Sequence, residues 1–161
     1  MKNKYELCGE YAKCYISDDC YFLIDMEDVE IAQKFHWIVN SDGYACAWIN
    51  KRPCTFHRYI MGNPIGKTID HINHNKLDTR KNNLRECTSR ENNQNRRNTN
   101  NPLGVKGVYL NKWGTYRAQI TINRRYKYLG TFQTLKEACD AYDKAAKKYF
   151  GEFAALNNCV S

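Results

Sequence analysis

The sequence predicts an α+β protein: short strands through its first half, then a three-stranded antiparallel sheet packed on one helix. Three observations carry this. Apolar residues come in strand-length runs separated by turn residues. Residues 134–151 carry a helical repeat with a cap at each end. A polar, aperiodic stretch at residues 95–104, punctuated by Pro102, reads as a linker between two modules. A chain of 161 residues makes one domain or two small ones, which excludes a large enzyme with its own nucleotide-binding sheet.

In chain order, residues 21–24 and 37–39 are apolar strand patterns on either side of an acidic stretch, 25–30. Ser41-Asp42-Gly43 is a hairpin-type turn, because glycine supplies a positive φ cheaply. Residues 44–50 and 54–60 read as further strands, completing a β-rich segment over residues 1–56. Beyond the linker, residues 108–110, 116–122 and 126–129 are three strand patterns with turns at 111–114 and 123–125. In the middle one Ala118, Ile120 and Ile122 share a face, and Arg117, Gln119 and Thr121 share the other. Thr134 with Glu137 forms a capping box that satisfies first-turn N–H groups. Ala138, Ala141, Tyr142, Ala145 and Tyr149 then form one helical face, read as core, and Gly151 ends the helix. The opposite, polar-aromatic side of the sheet has no covering layer.

The charge is uneven. Overall it is +8, from 25 Lys+Arg against 17 Asp+Glu, with 42% hydrophobic residues and a mean hydropathy of -0.76. Residues 1–50 carry −5, residues 51–79 carry +3, residues 80–130 carry +10, and the remainder is neutral. A basic centre rich in Arg, Asn and Tyr is the footprint of a phosphate-backbone partner. Aromatics at 13% argue against disorder. No apolar run approaches the ~20 residues of a membrane helix. Residues 1–13 lack an apolar signal core, so a cytoplasmic protein is expected. The eight cysteines include no C-x-x-C knuckle, so reduced, buried or half-buried thiols are expected rather than zinc ligands.

The chemistry gathers at Asp70-His71-Ile72-Asn73-His74-Asn75, followed by Asn82-Asn83-Leu84-Arg85 and Thr88-Ser89-Arg90-Glu91-Asn92-Asn93. Hydrolysing a phosphodiester needs an activated water and a stabilised leaving oxygen. An imidazole near its usual pKa of ~6.5 can take the water's proton, and oxygen ligands can hold a Mg²⁺-type ion. At these residues the sequence resembles the HNH endonucleases, over residues 57–97, with His57-Arg58-Tyr59-Ile60 upstream as in the phage and homing branch. Phe35-His36-Trp37 and Asp42-Gly43-Tyr44 resemble that branch's leading segment. The resemblance implies a small ββα-metal fold, with His71 as general base, Asp70 as metal ligand and Asn83 as the Asn that braces the loop. It implies one divalent metal, Mg²⁺ or alternatively Mn²⁺, and no organic cofactor. The third family position falls on Asn92, a second metal ligand, where the literal pattern has His. Adjacent strand residues face opposite ways, so Asp70 and His71 can share a site only at a strand end or bulge. His57 reads as a structural or a catalytic histidine, and His74 stands at a turn position where the family often has Gly. Arg85 and Arg90 flank the site as candidate phosphate contacts.

A second constellation runs from Gly104-Val105-Lys106-Gly107-Val108-Tyr109 through Trp113-Gly114, residues 116–120, Tyr128-Leu129-Gly130-Thr131-Phe132 and Ala141-Tyr142-Asp143 to Leu156-Asn157. It closely resembles the Apetala/ethylene-response-factor DNA-binding domain, over residues 104–157, with 98–103 as linker. In that family the sheet lies in the major groove. Independently, the open face carries Tyr109, Asn111, Trp113, Arg117, Gln119, Thr121, Tyr126 and Tyr128, side chains able to contact sugar, base edge and phosphate. Tyr109, Asn111, Thr121 and Tyr126 stand where plant domains carry base-reading Arg, so the plant recognition sequence does not carry over.

Together these features predict a metal-dependent endonuclease acting on double-stranded DNA, a cutter tethered to a reader, with no membrane role. The pairing resembles homing or mobile-element proteins. The rival reading is a DNA-binding regulator with a degenerate nuclease half. The sequence carries no dimer signal, so a monomer is expected.

Overall fold

Alternation of apolar and polar residues begins well before the apolar run at 21–24. In the computed structural model, which describes residues 2–96, 100–157 and 159, Lys4–Leu7 (β1), Tyr11–Ser17 (β2) and Cys20–Asp25 (β3) form an antiparallel sheet. Ala12 and Cys14 of β2 and Phe22 and Ile24 of β3 point inward, and the alternate residues face out. The acidic stretch forms a 3₁₀ turn, Met26–Asp28, and one helical turn, Val29–Ala32 (α1). A second sheet follows, Ile38–Val39 (β4), Ala45–Ile49 (β5) and Arg52–Thr55 (β6). The turn at Gly43 (φ +83) closes β4 on β5, as the sequence implied.

Residues 54–60, read above as a strand, divide instead. The strand ends at Thr55, and Phe56–Ile60 (α2) is helical. Burial decides it: a helical turn brings Phe56, Tyr59 and Ile60 to one side. Phe56 packs edge-on against Trp37 and Phe22, with ring centroids 4.9 and 5.1 Å away. These rings, with Ala12, Cys14, Ile24, Ala32, Ala45 and Ala47, make the core of the first compact unit, residues 1–89. Thr68–His71 (β7) pairs antiparallel with Leu84–Cys87 (β8), and Ser89–Asn95 (α3) follows.

The second unit, residues 90–161, repeats the predicted order: Val108–Leu110 (β9), Tyr116–Ile122 (β10), Arg125–Phe132 (β11) and a helix, Leu135–Phe150 (α4). The capping box is formed: the Thr134 hydroxyl accepts from the Glu137 amide at 3.2 Å, and the Glu137 carboxylate accepts from the Thr134 amide at 3.1 Å. Ala138, Tyr142 and Ala145 of the expected face are buried with Cys139 and Ala146, against Val108, Ala118 and Ile120. Tyr149 is exposed instead, its hydroxyl accepting from Lys127 Nζ at 2.6 Å. A bulge between Ala118 and Gln119, opposite Gly130 (φ +141), shifts the β10–β11 register, so that Gln119 faces Tyr128.

Two features of this unit differ from expectation. Cys139 and Cys159 are joined in a disulfide, closing a loop of separation 20 that ties the C-terminal segment to α4. The expectation of wholly reduced thiols therefore fails at this pair, which sequence spacing could not reveal. Among the described residues the other six cysteines are buried or half-buried and take no part in a disulfide. Within the expected linker, 98 and 99 lie outside the described residues. Asn101 is already buried structure: its amide donates to the Val105 and Val108 carbonyls at 2.6 and 2.7 Å.

Candidate active site and DNA-facing sheet

The candidate nuclease residues sit on β7, β8 and the long loop between them. His71 is the last residue of β7, the strand-end position required above, and lies opposite Leu84 in the register. Asp70 lies opposite Arg85, and the guanidinium grips its Oδ2 through Nε at 2.9 Å and Nη2 at 2.8 Å. Both acidic partner and imidazole are buried, at 6% and 5% exposure.

Asparagine amides shape the loop. Asn83 accepts from the Asn73 amide at 2.9 Å and donates to Asn73 Oδ1 at 3.0 Å and to the Asp78 carbonyl at 2.8 Å. Its own carbonyl accepts from Ile72 N at 2.9 Å, directly after His71. Asp78, buried, accepts from Asn73 Nδ2 and from both Arg80 nitrogens, each at 2.8 Å. Desolvation works against the Asp78 charge, yet these donors together hold its pKa below the ordinary carboxylate range. His74 takes the left-handed conformation, φ +65, at the position where Gly is common. The loop is sewn to β3: Leu23 N donates to the Leu77 carbonyl at 2.7 Å, and Thr79 returns amide and hydroxyl bonds to the Leu23 carbonyl at 2.9 and 2.6 Å.

Two further residues line the site: Tyr44, given no role from the sequence, and His57, read there as either structural or catalytic. Tyr44 and His57 pack around His71: ring centroids are 5.7 Å apart for Tyr44–His71, 5.0 Å for His57–His71 and 4.9 Å for Tyr44–His57. His57 Nε2 lies 3.3 Å from the Thr55 hydroxyl. The signal for Tyr44 was the Asp42-Gly43-Tyr44 triplet; nothing in the sequence brings His57 to His71. Burial lowers the His57 pKa to about 3, with the neighbouring His71 adding to the shift. Burial lowers His71 to about 4, against the pull of Asp70 and Asp78. Both imidazoles are therefore neutral at pH 7.

A stability prediction follows from these directions. An unfolded chain protonates both rings below pH ~6.5, whereas the fold resists until about 4 and 3. Stability is thus complete above pH 7 and falls as pH drops below 6.5, by roughly 2 kcal/mol per imidazole at pH 5. Urea midpoints at pH 7.5 and pH 5 measure it. His57→Phe should remove about half of the difference.

Of the remaining candidates, Asn92 lies half-buried in α3. Arg90, on the same helix, hydrogen-bonds to the Asn123 side-chain oxygen. Among the described residues no three His, Cys, Asp or Glu side chains gather as a metal centre. Carboxylate and amide oxygens are hard donors, the class that suits Mg²⁺ or Mn²⁺.

On the second unit's sheet, one face meets α4 and the other is open. Tyr109, Trp113, Thr121, Tyr126 and Tyr128 are exposed, Trp113 by 75% and Tyr126 by 78%. Arg117 lies over the Tyr128 ring at 5.7 Å and Lys112 over Trp113 at 4.6 Å, so cations and rings share the surface. Gln119 is half-buried between Arg117 and Thr121 along β10. Asn111 differs from its neighbours: its amide is committed to its own turn, donating to Thr115 Oγ1 at 2.5 Å and accepting from the Trp113 amide at 2.9 Å.

Comparison with known proteins agrees with both halves. Residues 61–94 match the HNH endonuclease family model, and residues 103–152 match the AP2 domain model. Over 143 residues the chain is 29% identical to an uncharacterized HNH endonuclease of Acanthamoeba polyphaga mimivirus, covering 85% of this chain and 74% of that protein. Two Arabidopsis thaliana proteins, dehydration-responsive element-binding proteins 2A and 2D, are 42% and 46% identical over 60 and 54 residues. The match spans 36% and 32% of this chain, but only 18% and 26% of those plant proteins. The chain joins an HNH endonuclease domain to an AP2 domain.

Proposed function

We propose that the chain is a metal-dependent DNA endonuclease of homing type, with its nuclease module over residues 57–97 and its reading domain over residues 104–157. One observation carries the reading most: a buried imidazole at the end of β7, next to Asp70 and leading into a loop braced by Asn83. In the proposed step, water gives a proton to His71 as its oxygen bonds to phosphorus, and the P–O bond to the departing sugar oxygen breaks. Only the neutral ring can accept that proton. Burial makes it a weaker base, and a bound phosphate's negative charge acts the other way. Asn83 is a positioning residue, acting through the loop backbone. Asp70 and Asn92 are the proposed ligands of one divalent cation, Mg²⁺ before Mn²⁺. Such a cation, when bound, stabilises negative charge on the phosphate and its leaving oxygen. Arg85 orients the Asp70 carboxylate, and Arg90 is a phosphate contact.

The AP2 sheet is proposed to enter the major groove, with Arg117, Gln119 and Thr121 toward base edges and Tyr109, Trp113, Tyr126 and Tyr128 against sugars and phosphates. Asn111 contributes by holding the turn that presents Trp113. The second reading, a regulator with an inactive nuclease half, is favoured by the Arg85 grip on Asp70. Supercoiled plasmid separates the two: Mg²⁺ should give nicked or linear product that EDTA abolishes, and band shifts without cleavage support the regulator.

A further inference from the structure

The hairpin formed by β5 and β6 has two dissimilar faces. Ala45, Ala47 and Ile49 of β5 point into the core of the first unit. Strand alternation puts Tyr44, Cys46 and Trp48 on the other face. Tyr44 is the residue whose ring lies 5.7 Å from that of His71, so Trp48 stands on the same face of the strand as the candidate base. It is 69% exposed, the highest value of any aromatic in this unit, beside an exposed Pro53 across the strand pair.

The tip is basic and conformationally fixed. Asn50 (φ +50) and Lys51 (φ +63) form a two-residue turn with both residues left-handed, the geometry that suits the strand twist. Lys51 and Arg52 are exposed there. They follow a 50-residue segment of net charge −5, so the basic tip stands apart from the acidity before it. Four strand steps lead from Tyr44 to Trp48, roughly 14 Å at ~3.4 Å each, which is about four base-pair steps along the axis of duplex DNA. A rigid aromatic ring with two cations is complementary to a sugar–phosphate edge.

We propose that the β5–β6 hairpin is a second DNA-contacting element, independent of the AP2 sheet. Lys51 and Arg52 meet backbone phosphates and Trp48 packs on sugars, about four base-pair steps from the phosphate presented to His71. That position rests on the nuclease reading; the contact itself does not.

The test is fluorescence anisotropy of the whole chain on a labelled 40-base-pair random-sequence duplex, from 50 to 200 mM KCl, in EDTA so that no strand is cut. The double variant Lys51→Asn, Arg52→Gln, whose Asn keeps the left-handed turn, should lower the slope of log affinity on log salt by about two. Trp48→Ala should weaken binding about tenfold with the slope kept, and Trp48→Phe should recover most of it. Variants that all bind with the parent affinity and slope overturn the proposal. Plasmid cleavage by the parent chain is scored separately. A parent that cuts while the variants bind unchanged sinks the hairpin contact alone. A parent that never cuts while the variants lose affinity sinks the nuclease reading alone.

Discussion

The chain carrying His71→Ala is expected to bind duplex DNA as the parent does and to nick plasmid ~10³-fold more slowly in Mg²⁺. General base catalysis is worth 10²–10⁴-fold, and His71 is the one imidazole adjacent to the candidate carboxylate ligand. Removing the ring leaves a space beside Tyr44 and His57, so folding has to be controlled. His71→Gln serves there: it fills most of the volume yet cannot act as a base near neutral pH. Gel quantification of initial nicking rates, with anisotropy for binding, reads both properties. If both variants nick at the parent rate, His71 is not the base. Loss of binding together with cleavage would instead assign it to the fold.

Gly107→Ala is expected to give the largest loss of stability in the second unit. Gly107 has φ +72, and a Cβ there would stand 2.5 Å from the Gln119 carbonyl oxygen and closer still to the Tyr142 ring. The Gly107 carbonyl also accepts from the Gln119 amide at 2.8 Å, so the backbone cannot withdraw without breaking that bond. Tyr142 is buried in the core that packs against the sheet. Left-handed strain of about 1–2 kcal/mol adds to overpacking of about 1–3 kcal/mol. A total of some 3 kcal/mol corresponds to a fall of more than ~10 °C in the melting of a unit this size. Differential scanning calorimetry with DNA titration checks it. A transition within 3 °C of the parent's, at the precision implied by roughly 4–8 °C per kcal/mol, would contradict the steric account.

The two units differ in how far their sequences revealed them. In the second, the strand alternation of residues 116–122, the Thr134–Glu137 box and the alanine stripe are all local patterns. The structure has each of them, although Tyr149 leaves the stripe for Lys127. The first unit depends on contacts between distant segments. Residues 4–17 look polar because the outward face of β1 and β2 carries Glu6, Lys13 and Tyr15, and only half of each strand shows a core signal. Phe56 turns into a helix because the core needs its ring beside Trp37, which no window of neighbouring residues can reveal. At the candidate site, Asp70, His71 and Asn83 could be picked out by their order. The contact of Tyr44 and His57 with His71 could not be read, since what brings them there is the fold around β5 and α2. Nor could Arg85 be seen as the partner of Asp70 before the β7–β8 register was known.

The stitching of the β7–β8 loop to Leu23 bears on how the HNH half could be moved between proteins. A graft beginning at the family motif would carry Leu77 and Thr79 without the strand that answers their backbone groups, and Lys81 without the Asp25 carboxylate its amide donates to at 2.7 Å. The transplantable piece is therefore the whole stretch from Asn3, whose side chain fastens Trp37 to β2, through α3 with Arg90 and Asn92. Shuffling at a joint beyond β3 would deliver the right letters on a loop with nothing to lean on.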